Sequence, residues 1–521
     1  GYWIDRPYAT AIETFDFEPS AYPDPKSMLA ELHALGFATA VWHAPYVDKK
    51  DPLAATQYAF AQSSGCFPPV SSIDLNPWSA PLDLTNGAAA SWWQSQLGAY
   101  RALGVDGFKL DYGEDVAPGA LTIRTPWTFA NGHDEQTMHS EYALAYHSTY
   151  ASIVDPAGSF MLCRHGVWGD QANGCVIWPG DLDASFALHG DAATDASGSA
   201  YVSVGGLPAS MIAGISLGPS GFPFYAADTG GYRHSPPDKE LFVRWFEETA
   251  LSSAMEIGTG SSTVAWETLG NPGFDAETLT LYRQYTRLHL RLFPYAWTYA
   301  RRLAVDGHPI VRPVGLAHPE LGKHPSDAFL FGEDLYVAPV VTHAQTTRAF
   351  TLPQGDWFDW WTGARRSGDA TMDAPLDTLP LMLRAGGMVP MLRDTIDTLA
   401  ATTEPSQVDS FVTNPGVLTV RVAPGPERTF TIYDGTTLFQ ATSAGVTTLR
   451  IGQGSVFRQG AIFELLGIAD VASVAIDAGV GGAVTDLSAL ANASGWIVTS
   501  DGVVHVRVLG GVHTIELTQG Q

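Results

Sequence analysis

The chain has 521 residues, 45% of them hydrophobic and 16% charged, which excludes a disordered or fibrous protein and leaves room for roughly two to four cored domains. Fifty-four acidic against twenty-eight basic residues give a formal charge of −26, a field that repels polynucleotides and anionic membrane surfaces and fits a neutral substrate better. No apolar run is long enough to span a membrane, and Cys66, Cys163 and Cys175, odd in number and without CxxC spacing, indicate neither a disulfide framework nor a zinc site.

In chain order, Gly1 to Pro7 reads as the end of a core strand (2–5) tipped by Asp5 and Arg6. Asp24-Pro25 opens a helix through Leu35, with Pro at its first position and Gly36 as its stop. A strand at 37–42 follows, then an amphipathic helix at 87–103 that closes at Gly104 and feeds a strand from Val105. The alternation continues with a helix at 134–153, strands at 160–163 and 175–178, a helix at 206–217, a strand at 222–225, and helices near 238–250 and 276–302. Strands separated by helices, each tipped with a polar residue, predict a (β/α)8 TIM barrel over residues 1–304; about seven strands are counted, one short of closure at the N-terminal end. From residue 305 short β-branched and aromatic runs alternate with Gly and Pro turns, which predicts two C-terminal β-sandwich domains, 305–400 and 401–521. No signal peptide is legible, yet the chain starts abruptly inside a strand; a secreted or periplasmic location is favoured over a cytoplasmic one.

Two strand ends carry the chemistry. The run from Val105 to Asp115 begins apolar and ends in Asp111, Glu114 and Asp115; in a parallel barrel that end is where catalytic groups sit. The second, Trp178-Pro179-Gly180-Asp181, places a glycine before an aspartate, so the backbone can turn sharply. Paired carboxylates on a barrel rim suit glycosidic bond cleavage, one as ionised nucleophile, the other as proton donor and then base. Lys109, beside Asp111, is expected to hold it ionised, and Trp178 to lower the polarity around Asp181. Neither a metal nor a cofactor is required. Solvated acids at two strand ends are the plain alternative.

These motifs resemble those of glycoside hydrolase family 31, the retaining α-glucosidases, α-xylosidases and their relatives. Phe108-Lys109-Leu110-Asp111-Tyr112-Gly113-Glu114 is similar to the family's nucleophile motif and Trp178-Pro179-Gly180-Asp181 to its acid/base motif. The resemblance implies that Asp111 is the nucleophile and Asp181 the acid/base. It implies that Arg164 and Asp5 bind sugar hydroxyls, that Trp42 and Trp178 wall the pocket, and that Lys109 and Asp228 also contact substrate. Gly218 to Phe222 and Asp228-Thr229-Gly230-Gly231 follow the pattern, as do Asn131-Gly132-His133, Gly332-Glu333-Asp334, Ala338-Pro339-Val340, Leu352 to Trp357 and Pro380 to Gly386. The likeness runs over about residues 2–395. An oligosaccharide or glycoside is the implied partner.

Two departures stand against the pattern. Family members carry an N-terminal β-sandwich and a first barrel strand ahead of the position of Tyr2, so a missing N-terminal segment is expected. Ala227 stands where many family members place a histidine that binds sugar hydroxyls, which points away from a plain α-glucoside. His43 and His165 are expected to be structural, and Glu114 to support its neighbours. Transfer to a sugar hydroxyl instead of water, an inactive sugar-binding protein and a structural subunit are the competing readings.

Overall fold

Five short parallel strands, Tyr2–Ile4, Thr39–His43, Gly107–Leu110, Met161–Cys163 and Val176–Ile177, frame the N-terminal part of the molecule and lie side by side in that order. The computed structural model describes every residue except 73–75, 121–122, 156–157, 259, 261–263, 267–272, 469 and 521. The chain divides into two compact units, Gly1–Gly180 with Ala400–Val408 and Asp181–Leu399 with Asp409–Gln521.

The first unit runs β1 (Tyr2–Ile4), α1 (Pro25–Ala34), β2 (Thr39–His43), α2 (Ala55–Ser63), α3 (Gly87–Leu103), β3 (Gly107–Leu110), a two-rung ladder of β4 (Gly119–Ala120) and β5 (Ile123–Arg124), α4 (Glu135–Ala151), β6 (Met161–Cys163) and β7 (Val176–Ile177). The helices begin where their caps direct. Asp24 accepts from the Ser27 N–H ahead of α1, Asn86 from Ala88 ahead of α3, and Asp134 from Gln136 and Thr137 ahead of α4. Gly104 closes α3 with φ +116°, a left-handed conformation that glycine adopts without a Cβ clash.

Register assigns each side chain of the sheet to a face. Trp42, Lys109, Leu162 and Val176 are level with one another, and His43, Leu110, Cys163 and Ile177 occupy the next rung. Adjacent rungs point to opposite faces. His43 packs its ring against Tyr100 of α3 and Tyr150 of α4, at centroid distances of 5.4 and 5.8 Å, so its rung faces the helices. Trp42 and Lys109 therefore face the other way. Cys163 and Cys175 form a disulfide with Cα atoms 5.8 Å apart, against the expectation from cysteine count and spacing. Neighbouring parallel strands bring the two together across a 12-residue separation that carries no local signature; Cys66 stays free and buried.

The second unit carries α5 (Leu207–Leu217), α6 (Lys239–Thr249), α7 (Ala276–Arg291) and α8 (Phe293–Asp306). The single helix expected at 276–302 is two, because Pro294 has no N–H to donate to the carbonyl of Leu290. The strand expected at 222–225 is not formed. Pro223 removes a ladder donor, and Tyr225 instead donates its N–H to Ser253 Oγ (2.7 Å) while its carbonyl accepts from Ser252 Oγ (2.9 Å). Among the described residues the sheet has five strands, against the about seven expected.

Beyond α8 the chain is mostly β, with one α-helical turn at Val314–Ala317 and short 3-10 turns at Pro319–Leu321 and Leu487–Leu490. A six-stranded antiparallel sheet between Val311 and Arg384 packs Leu330, Tyr336, Trp357 and Met382 against Phe350 and Met372 of a two-stranded ladder. Residues 388–519 form a five-stranded and a six-stranded sheet, whose inward Val420, Phe463, Val506, Leu438, Leu449 and Ile515 share one core.

Helix α6 is buried from Leu241 to Thr249, two glutamates included. Glu247 pairs with Arg244 at 3.0 Å, whereas burial alone pushes the Glu248 carboxyl up to about 8. Between the ordinary carboxylate value and that point the folded chain keeps a proton on Glu248 that the unfolded chain has released. Stability therefore falls as pH rises through this window. Glu248→Gln should flatten that decline and gain about 2–4 kcal/mol at pH 8, measured by urea denaturation between pH 5 and 9; an unchanged pH slope would refute it.

Candidate active site

The C-terminal ends of the parallel strands gather six of the eight site residues read from sequence. Asp5 follows β1, Trp42 lies in β2, Lys109 in β3 with Asp111 just beyond it, Arg164 follows β6 and Trp178 follows β7. All six lie in the first unit; Asp181 and Asp228 belong to the second.

Three donors converge on the Asp111 carboxylate. Arg164 Nη1 donates to Oδ1 at 2.7 Å, the Tyr112 N–H to the same oxygen at 2.8 Å, and Trp42 Nε1 to Oδ2 at 2.9 Å. A carboxylate that only accepts matches the ionised form, since a protonated one would have to donate. The residue is 8% exposed. Its backbone is fixed as well, its N–H donating to the His43 carbonyl at 2.9 Å. Immediately after it Tyr112 and Gly113 turn left-handed, with φ +60° and +94°.

Arg164 is the cation hydrogen-bonded to Asp111, in place of the Lys109 expected from sequence. The ammonium of Lys109 lies on Asp5 Oδ2 at 2.9 Å, with Trp3 Nε1 donating to the same oxygen. Adjacency along a strand put Lys109 next to Asp111 in sequence, but its long side chain reaches past β2 to Asp5 at the end of β1. The guanidinium of Arg164 also gives Nε to Glu114 at 2.8 Å, which confirms Glu114 as a supporting residue. Trp178, fully buried, separates the two cations: Lys109 Nζ is 4.3 Å and Arg164 Cζ 5.3 Å from its ring centroid. Gly180 has φ +80°, and a Cβ there would sit 3.3 Å from the Arg164 guanidinium.

Sequence reasoning missed several contributors. Tyr46, from the loop after β2, and Trp78, from the connection between α2 and α3, form an aromatic group with Trp42 and Tyr112, and Arg6 lies 5.3 Å over both Trp42 and Trp78. Asp115 accepts from Tyr46 Oη and from Asn76 Nδ2 (2.9 Å), and burial, followed by Asp115, raises the Tyr46 phenol well above its ordinary value. These loop aromatics share no spacing with the motifs, so only the fold reveals them. His43 Nδ1 meets Tyr150 Oη at 3.1 Å, and burial, then His147, lowers His165 to about 4.

In the second unit Asp181 is half-buried, and the chain beyond it is firmly held. The Leu182 carbonyl accepts from the N–H groups of Tyr232 and Arg233, both at 2.9 Å. Asp183, fully buried, accepts from Ser203 Oγ and the Val204 N–H, both at 2.8 Å. Asp228 is buried at the head of a turn in which Gly231, φ +84°, leaves no room for a side chain: a Cβ would lie 2.5 Å from the Ala184 backbone. Ala227 beside it is completely buried.

The family model of the glycosyl hydrolases family 31 TIM-barrel domain matches residues 1–299, and that of the family 31 C-terminal domain residues 307–389. The chain belongs to glycosyl hydrolase family 31. Among this family's proteins it is 29% identical over 412 residues to an isomaltosyltransferase of Sporosarcina globispora, which covers 74% of this chain and 35% of that protein. It is 28% identical over 402 residues to an α-xylosidase of Emericella nidulans, covering 72% and 46%. The chain therefore spans half or less of the length of these two relatives. In fold it is similar to a family 31 dextranase of Flavobacterium johnsoniae, with TM-score 0.79 at 22% identity, over 99% of this chain and 66% of that one. The fold class, a TIM-barrel domain followed by β-sheet domains, follows from both matches.

Replacing Gly180 by alanine should cost about 1–2 kcal/mol for the left-handed backbone and push Arg164 away from Asp111. Chemical denaturation reads the first effect and a crystal structure of the variant the second; an unmoved guanidinium would show that Gly180 is not required for its placement.

Proposed function

We propose that this domain set is an exo-acting retaining α-glycosidase that removes terminal α-linked sugars of glucoside or xyloside type by double displacement. The observation that carries the reading is the buried Asp111 carboxylate held as a pure acceptor by Arg164, Trp42 and the Tyr112 N–H. Such a group is fixed in place before substrate arrives, as a nucleophile aimed at an anomeric carbon must be. In the first step Asp111 attacks that carbon while Asp181 protonates the departing oxygen; in the second Asp181 deprotonates water, which releases the sugar with its configuration retained. Cations paired with acids beside Trp178, Lys109 with Asp5 and Arg164 with Asp111 and Glu114, fit an uncharged glycone, with Asp5 and Arg164 serving its hydroxyls and Trp42 and Trp178 its ring face. Asp228 is assigned to the same sugar. The buried Ala227 offers no hydrogen bond, so discrimination among sugars rests on its neighbours.

Asp111→Asn should lower kcat on an aryl α-glycoside by about 10³-fold or more. A 5-fluoroglycosyl fluoride should leave a covalent mass on the peptide that contains Asp111. Asp181→Ala should spare substrates with good leaving groups more than poor ones, since only the latter need protonation. Labelling of a different carboxylate would overturn the assignment.

The likeness to an isomaltosyltransferase favours a second reading, transfer of the glycosyl group to a sugar hydroxyl. Both reactions share the covalent intermediate. With excess acceptor sugar, longer oligosaccharides are expected if transfer dominates, and free monosaccharide alone if hydrolysis does.

A further inference from the structure

Behind the site, on the helix-facing side of the sheet, lies a cluster that glycoside cleavage does not use. A ring nitrogen of His147 and the sulfurs of Cys163 and Cys175 all lie within 4.8 Å of one another, and all three residues are buried. Register explains the meeting. Cys163 shares its rung with His43 and so points at the helices, where α4 presents His147.

The imidazole is oriented by its other nitrogen. Nδ1 lies 2.6 Å from Asp170 Oδ2, and Asn173 Nδ2 donates to Asp170 Oδ1 at 2.7 Å. An Nδ1–H given to a carboxylate leaves Nε2 as a bare lone pair, and that atom is buried without a hydrogen-bond partner. A buried acceptor left in this condition costs about 1–3 kcal/mol, which the disulfide does nothing to recover. A carboxylate behind a histidine that has a ring nitrogen within 4.8 Å of two sulfurs is the arrangement by which metal-binding histidines are aimed.

We propose that this is a redox-gated zinc site. A dithiol reductant supplies two electrons and two protons, opens the Cys163–Cys175 bond and is itself oxidised to a disulfide. The two thiols then lose their protons on taking up one Zn²⁺, bound by both thiolates and by His147 Nε2. The same sulfurs cannot do both, so a disulfide oxidant, which takes the two electrons from the thiolates and is reduced to a dithiol, re-forms the Cys163–Cys175 bond and expels the ion. Two thiolates and an imidazole form a ligand set that zinc accepts, with a fourth position left over. His165 stands nearby, its ring centroid 5.5 Å from that of His147.

The test uses the whole chain reduced anaerobically with dithiothreitol, freed of reductant and titrated with Co²⁺ as a coloured stand-in for Zn²⁺. The expected result is a thiolate-to-cobalt charge-transfer band saturating near about one ion per chain and bleached by Zn²⁺. The band should vanish in Cys163→Ser and Cys175→Ser and persist in Cys66→Ser. Asp170→Asn should keep the band but weaken affinity about 10–100-fold, an effect that a merely structural Asp170 would not produce. Far-UV circular dichroism keeps each variant comparable. A folded, reduced chain without the band, a band that survives in Cys163→Ser, or unfolding upon reduction would each overturn the proposal.

Discussion

One guanidinium group ties the C-terminal strand ends of the first unit together. Arg164 spans Asp111 and Glu114, so the end of β6 and the loop after β3 are joined through a single planar fork. Its faces lie near Trp178 and Tyr112, and Gly180 has no side chain because the fork needs that volume. Lysine could not serve here, since one ammonium cannot present two rigid donors in different directions. The left-handed backbone at Tyr112 is a further price of this geometry, held by the surrounding hydrogen bonds.

Lys109 shows the same logic at greater energetic cost. Its ammonium is almost wholly removed from solvent, and pairing with Asp5 only partly offsets the loss of hydration. Apolar residues of similar volume would pack there at least as stably. A charge retained in such a place, between Trp3 and Trp178, is not accounted for by its contribution to folding.

Much of this was legible from the chain, and the failures have causes. Helices α1, α3 and α4 began at Asp24, Asn86 and Asp134 because capping is a local interaction visible within four residues. Strand ends bearing Asp111 and Arg164 were equally local. Partner choice was not: Lys109 was read as the cation of Asp111 because it is two residues away, whereas Arg164 reaches that carboxylate from fifty-three residues downstream. The Cys163–Cys175 bond was missed for the same reason, adjacency of strands being a property of topology and not of spacing. Pro223 and Pro294 were in plain view, and the run of aromatic and apolar neighbours outweighed them in the reading of 222–225 and 276–302.

The fork on Asp111 also bears on when the cost of order is met. Its donors are a buried indole, a backbone amide and an arginine already braced by a second acid, all in place with no sugar present. The entropy of immobilising the carboxylate is thus surrendered once, as the molecule folds, rather than at every encounter with a substrate. On the function proposed above, an arriving glycone would find a fixed charge, and the free energy of its own contacts would be left for distorting the sugar ring instead of arranging the protein.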